Sequence, residues 1–339
     1  MNINLLDEQR LDALRQLIND AEHIAICCHQ NPDGDALGAS LGMADYLRSL
    51  GKIVFVAVPN MFPDFLRWMP GTERIMRYDK YPSVIKEQFE QADLIFCLDF
   101  NTLDRIDRLA EAVSSSKAKR VMIDHHPGPN VETALTISYP EMSSTCELLF
   151  RVLWQLGGFP QITKQCATHL YCGMMTDTGG FTYNSSNPEI FFIISQLLTK
   201  GINKDKIYRN VYNNYSESRL RLMGYVMYEK LRYFPIKHAA YFTINRADFH
   251  RFHFMKGDAE GLVNIPLQIK GTVLSISLRE DTEKDNFIWV SLRSVDNVNC
   301  TEIAQRFFNG GGHMNASGGK LFCSMEEAEK IVREAIASL

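Results

Sequence analysis

The chain has 339 residues, of which 45% are apolar and 22% charged, and its formal net charge is −4. This is the composition of a globular protein, and it leaves no broad basic face for a long nucleic acid. No run reaches the roughly 20 apolar residues that cross a bilayer, and the segment from Met1 to Glu8 has neither a basic stretch nor an apolar signal core. None of the eight cysteines stands in Cys-x-x-Cys spacing. A cytoplasmic protein without a membrane partner is expected.

Continuous apolar runs alternate with helical patterns through the first half. Residues 24–28 read as a strand, followed by a helix carrying Leu37, Leu41, Ala44 and Leu47 on one stripe and ending near Gly51. Residues 53–58, 94–98 and 121–123 read as further strands, and 145–156 and 163–176 as helices. Strands that are apolar at every position and spaced by helices predict a parallel sheet covered on both faces. Asn187-Pro188 marks a break, and 189–232 reads as a helical link. Beyond it, 240–244, 272–278 and 287–293 alternate in the manner of half-buried strands. A turn is expected at 281–286, a glycine loop at Gly310-Gly311-Gly312-His313, and an amphipathic helix over 325–339. The expected fold is α/β: a Rossmann-like N-terminal domain over 1–188, the link, and a smaller α/β domain over 233–339, with the active site in the cleft between the two.

The chemistry collects at strand exits. His29-Gln30-Asn31-Pro32-Asp33-Gly34-Asp35 follows the first strand, Asp99 follows the run at 94–98, and Asp124-His125-His126 follows the run at 121–123. Asp177 leaves the helix ending at 176. Taken singly, the aspartates also fit turns and helix caps. In open parallel sheets, however, ligands gather beyond the carboxyl ends of the strands, which places these segments on one side. Paired histidines at the mouth of a buried strand have no packing advantage. So many carboxylates and imidazoles exceed the needs of one ion. They suit two divalent cations sharing a bridging carboxylate, with Mn²⁺ favoured over Mg²⁺ by the imidazoles.

In the last third, alternation puts Trp289, Ser291 and Arg293 on one face of a strand, and Arg279 ends its neighbour beside Ser275 and Ser277. Arginine offers a planar fork for phosphate, and glycines let a ligand approach backbone N–H groups. The same residues also fit solvated strand ends and a surface turn. Phe62, Phe65 and Trp68 fit domain packing better than an aromatic lid. Ser143, Ser144 and Thr145 read as a helix cap, with Glu147 near its positive end, in preference to a catalytic role.

Together, His29-x-x-x-Asp33-x-Asp35, Asp99, Asp124-His125-His126, Asp177 and Gly310-Gly311-Gly312-His313 resemble the DHH phosphoesterases, most closely the nano-RNase/pAp phosphatase group. The resemblance covers nearly the whole chain in the same order. It implies one cation held by His29, Asp33 and Asp99, a second held by Asp35, Asp99, His125 and Asp177, His126 facing the substrate phosphate, and Asp124 orienting a histidine. It also implies a DHH-associated second domain that binds substrate through Arg293, Gly310, Gly311, Gly312 and His313, with Arg279 a lesser contact. One departure is Gly180, where many relatives carry an arginine. The expected activity is hydrolysis of short oligoribonucleotides and of 3′-phosphoadenosine 5′-phosphate. Rival readings are linear or cyclic dinucleotide hydrolysis in signalling, pyrophosphate or polyphosphate hydrolysis, and a nucleotide-binding regulator without turnover. A homodimer stays open.

Overall fold

Strand segments of the first half are built mainly from Ile, Val, Leu, Phe, Ala and Cys and have little face to give to water, and the architecture of that half follows from this. The computed structural model describes residues 3–255 and 257–339, which form two units divided between Asn214 and Tyr215. In chain order the first unit contains α1 (Glu8–Asp20), β1 (His23–Cys27), α2 (Gly34–Ser49), β2 (Ile53–Val58), β3 (Met76–Arg77), α3 (Pro82–Glu90) and β4 (Leu94–Leu98). These are followed by α4 (Leu109–Ser115), β5 (Lys119–Asp124), β6 (Leu135–Ser138), α5 (Thr145–Gln155), α6 (Lys164–Asp177), α7 (Pro188–Thr199) and α8 (Lys204–Tyr212). The six strands form one parallel sheet in the order β3-β2-β1-β4-β5-β6.

Alternate residues of each strand feed opposite cores, as the period of two requires. Ile24, Ile26, Val56, Phe96 and Val121 pack with α1, α2, α5 and α6 on one face. Ala25, Cys27, Ala57, Cys97 and Met122 pack with α3 and α4 on the other. Phe62 is buried in the first of these cores, with Phe65 and Trp68 against it. The segment expected as a helical link is shared between the units. Ile190, Ile193, Leu197, Ile207 and Val211 of α7 and α8 are buried in the first core. The next helix, α9 (Glu217–Tyr225), buries Leu222 within the second unit.

The second unit continues with β7 (Arg232–Phe234), β8 (Ala239–Ile244), α10 (Arg246–Arg251), β9 (Leu274–Glu280), β10 (Ile288–Ser294), α11 (Cys300–Phe307), β11 (Gly311–His313), β12 (Ala316–Leu321) and α12 (Met325–Ala337). Its sheet runs β11-β12-β10-β9-β8-β7 and is antiparallel except for the β8–β9 pair. Leu274, Ile276, Leu278, Ile288, Val290 and Leu292 face α11 and α12.

The glycine run is not a loop. Gly311, Gly312 and His313 pair with Gly318, Ser317 and Ala316 as an edge strand. A Cβ on Gly310 would collide with the backbone of Gly318 and Gly319, so close chain packing selects that glycine. Among the described residues no helix is long and apolar enough to cross a membrane.

Candidate metal centre

The order β3-β2-β1-β4-β5-β6 reverses direction between β1 and β4, and the crevice at such a switch point lies beyond the strands' carboxyl ends. His29 stands two residues past β1 and Asp99 directly past β4. Asp124 closes β5, and His125 and His126 follow it. Asp177 is the last residue of α6. Gly34 allows α6 to approach, because a Cβ there would collide with the Thr176 side chain.

The local conformations aim these side chains at one another. Asp33 caps α2, its Oδ1 accepting from the amides of Asp35 and Ala36 at 3.0 Å each. Asp99 lies in the left-handed region at φ 62°, a conformation that costs energy for a residue with a side chain and recurs at functional sites. His29 Nε2 lies 3.3 Å from Asp99 Oδ2 and 3.8 Å from Asp33 Oδ1. His125 Nε2 lies 3.6 Å from the other oxygen of Asp99, 3.4 Å from Asp177 Oδ2 and 3.9 Å from Asp35 Oδ2. Asp99 therefore presents one oxygen to each group. His125 sets its Nδ1 3.2 Å from the carbonyl of Met142. That contact makes Nδ1 the N–H nitrogen and leaves Nε2 as the donor atom facing the carboxylates. His126 Nδ1 is 2.8 Å from Asp124 Oδ1.

The electrostatics show a crowded anionic cluster. Burial raises the Asp35 pKa, and Asp99 and Asp177 raise it further. Burial pushes Asp177 up to about 7, with Asp33 and Asp99 adding to burial and His125 opposing it. Burial would lower the His125 pKa, but Asp177, Asp99 and Asp35 outweigh it and raise the value to about 9. His29 follows the same pattern through Asp33 and Asp99. Asp99 is held well below the carboxylate range, because His29, His126 and His125 overcome the burial penalty.

In the second unit, His313, Ala316, Arg293 and Ser275 stand opposite one another in one row across four strands. Gly311, Gly318, Ser291 and Ser277 form the next row. Arg279 opposes Trp289 one row further. These rows occupy the sheet face opposite the one packed on α11 and α12, because the intervening residues supply that core. Gly311 differs from Gly310, since nothing lies within 4 Å of a Cβ built on it.

Residues 23–174 match the DHH family, N-terminal domain, and residues 240–338 match the DHHA1 domain. An exopolyphosphatase-related protein from Bacteroides fragilis is 50% identical, with a TM-score of 0.94 over 98% of this chain and 97% of that one. The chain belongs to the DHH family. It is a phosphoesterase of that family. The bifunctional oligoribonuclease and PAP phosphatase NrnA of Thermus thermophilus is 28% identical over 92% of this chain and 89% of that protein. RecJ of Thermus thermophilus in complex with Mn²⁺ shares the fold at 11% identity, with a TM-score of 0.53 over 98% of this chain and 55% of RecJ.

The donors of the DHH centre fit divalent cations. His29, Asp33 and Asp99 form one group whose ligand atoms lie within 4.8 Å of one another, and Asp35, His125 and Asp177 form a second. Asp99, Asp124 and His126 form a third. All these donors are oxygen or imidazole nitrogen, the set that divalent Mn and Mg ions accept. The fit also rests on charge. The pKa values of Asp35 and Asp177 are raised by burial and by the neighbouring carboxylates, a crowding of negative charge that bound cations would relieve. Asp33 and Asp177 keep 43% and 29% of their side chains exposed, so the cluster opens to solvent on their side.

Residues read first as a cap, with a catalytic role the lesser reading, touch the centre. Ser144 is the N-cap of α5, but Thr145 Oγ1 donates to Asp99 Oδ1 at 2.8 Å. The Thr145 and Cys146 amides donate to Asp35 at 2.6 and 2.9 Å. The available signal was a surplus: Ser143-Ser144-Thr145 carries three hydroxyls where a cap needs one.

Proposed function

We propose that this DHH protein hydrolyses oligoribonucleotides of a few residues, and 3′-phosphoadenosine 5′-phosphate as a second substrate, using two divalent cations with Mn²⁺ preferred. One cation would be held by His29, Asp33 and Asp99, the other by Asp35, Asp99, His125 and Asp177. The observation that carries this reading is Asp99, whose two oxygens face the two ligand groups separately. Bound there, the cations would supply charge neutralisation at the phosphate and acidify the attacking water.

The chain's own side chains do the rest. Asp124 accepts a hydrogen bond from His126 Nδ1–H, which fixes the ring orientation and directs Nε2 to the substrate phosphate or the leaving oxygen. Burial of Asp99, at 2% exposure, keeps bulk water from its carboxylate. Arg293, Gly311 and His313 of the second unit bind the nucleoside and its phosphate, Arg279 is an outer contact, and Gly310 and Gly312 shape the edge strand behind them. The net charge of −4 supports a short substrate held locally over a long one held along a basic face.

A metal-stripped preparation reloaded with Mn²⁺ tests the reading. The substrates are 5′-phosphorylated RNAs of two to five and of twenty or more nucleotides, 3′-phosphoadenosine 5′-phosphate, pApA, cyclic di-AMP, pyrophosphate and polyphosphate. The highest kcat/KM is expected on the two- to five-nucleotide RNAs. A preference for polyphosphate or for the cyclic dinucleotide would replace this proposal, and binding without turnover would make the protein a regulator.

A further inference from the structure

We propose that Thr145 is a positioning residue that sets the spacing of Asp35 and Asp99, and with it the affinity and alignment of both cations. This deepens the reading above and rests on its metal assignment. The turn from Met142 to Cys146 meets three of the assigned ligands. The Met142 carbonyl accepts from His125, the Thr145 and Cys146 amides donate to the two oxygens of Asp35, and the Thr145 hydroxyl donates to Asp99. Within this turn Thr145 spans two carboxylates, one assigned to the second cation and one shared by both.

The turn is held from behind by a buried network. Glu147 Oε2 accepts from the amide and hydroxyl of Ser143 at 2.8 and 2.6 Å, and Glu147 Oε1 accepts from Arg151 Nε and Nη2 at 3.0 and 2.6 Å. Ser144 Oγ accepts from the Glu147 amide. Ser143, Ser144, Thr145, Glu147 and Arg151 are all 3% exposed or less. A buried ion pair and three further hydrogen bonds exceed what starting a helix requires. They fix Thr145 against the pull of two ions on Asp99, because a donor on a loose turn would follow the carboxylate. The Thr145 hydrogen bond also occupies part of Oδ1, so the remaining lone-pair direction of that oxygen is set before an ion arrives.

The test compares Thr145→Val, which keeps shape and removes the hydroxyl, with Thr145→Ser, which restores it. Mn²⁺ uptake by metal-stripped protein is followed by calorimetry, the melting midpoint is taken without metal, and kcat and KM are measured separately on a dinucleotide. Valine is expected to weaken Mn²⁺ binding and lower kcat by about 10–100-fold with KM little changed, and serine to recover most of both. Wild-type Mn²⁺ affinity in Thr145→Val, whether or not its melting midpoint falls, reduces Thr145 to a helix-start residue and overturns the proposal. A wild-type protein that binds Mn²⁺ but cleaves no oligoribonucleotide sinks the substrate reading alone and leaves the Mn²⁺ titration to decide on Thr145. Absence of Mn²⁺ uptake by the wild type overturns both.

Discussion

His126 Nδ1 lies 2.8 Å from Asp124 Oδ1, and Asp124 is fully buried with its second oxygen unpartnered. A buried carboxylate with one donor is a strong acceptor, so the imidazole keeps its proton on Nδ1 and leaves Nε2 as the acceptor nitrogen. Asp124→Asn removes that preference while nearly conserving volume. Its kcat on a dinucleotide is expected to fall by about 100-fold or more, with Mn²⁺ affinity held within a few-fold. Single-turnover rates at saturating Mn²⁺ check this, and a rate near wild type would show that Asp124 does not orient His126.

Asp99→Asn tests the proposed sharing of Asp99 between two cations. The amide keeps one oxygen but loses the charge and the second ligating oxygen, so it serves at most one ion. Turnover is expected to vanish while the far-ultraviolet circular dichroism stays native. The rise in melting midpoint that Mn²⁺ gives the wild type should shrink or disappear. Near-normal rates in this variant would rule out bridging.

Much of this centre was legible because hydrophobic period and ligand type coincide. Leu94–Leu98 is apolar at every position, so it had to be a strand covered on both faces, and Asp99 had to stand at its carboxyl end. The same logic placed Asp124, His125 and His126. What stayed hidden were contacts between segments far apart in sequence. Thr145 is 46 residues from Asp99, and no local pattern distinguishes a capping hydroxyl from one that also reaches a neighbouring strand exit. β6 was missed because Leu135–Ser138 is a four-residue edge strand with only Ile137 buried. α1 was legible but unread: Asp7 caps it, and Leu11, Leu14 and Ile18 recur at helical spacing. The glycine run misled because three glycines suggest a loop, whereas Gly310 is selected by a neighbouring strand's backbone.

Metal binding should be proton-linked. In the metal-free protein the carboxylates raise the His125 pKa to about 9 and raise that of His29 as well. Ligation needs neutral imidazole, so uptake displaces protons, and Mn²⁺ affinity should climb with pH and level off near 9. The metal-free stability runs the other way. The raised His125 contributes stability that is complete below its unfolded value of roughly 6.5 and is lost as pH rises through about 9. Asp177, raised to about 7, binds its proton more tightly folded than unfolded, so its share is lost between roughly 4 and 7. Melting midpoints measured from pH 5 to 9 with chelator and with Mn²⁺ should therefore diverge as pH rises; parallel curves would contradict the linkage.

The buried pair behind the metal turn should be costly to break. Arg151 and Glu147 side chains are each 2% exposed, and the pair is joined by two hydrogen bonds. Arg151→Leu leaves a buried carboxylate without its cation and is expected to cost about 3–5 kcal/mol. Urea unfolding of the metal-free protein measures it, and a loss below about 1 kcal/mol would mean that water reaches Glu147.

Gly310 and Gly311 are adjacent, yet they should fail differently when substituted. A Cβ at Gly310 meets the backbone of Gly318 and Gly319, which cannot move without opening the β11–β12 pair. Gly310→Ala should lower the melting midpoint, and any loss of activity should follow from that. A Cβ at Gly311 meets nothing within 4 Å, so packing does not explain the glycine. Its row carries Ser291 and Ser277 and lies beside the row of Arg293 and His313, which is where a nucleotide phosphate would approach the backbone. Gly311→Val should therefore keep the wild-type melting midpoint, since valine suits a strand, while raising KM for a dinucleotide by about tenfold, a binding loss of roughly 1.4 kcal/mol. An unchanged KM in a folded Gly311→Val protein would remove the edge strand from the substrate site and leave Arg293 and Arg279 as the remaining candidates.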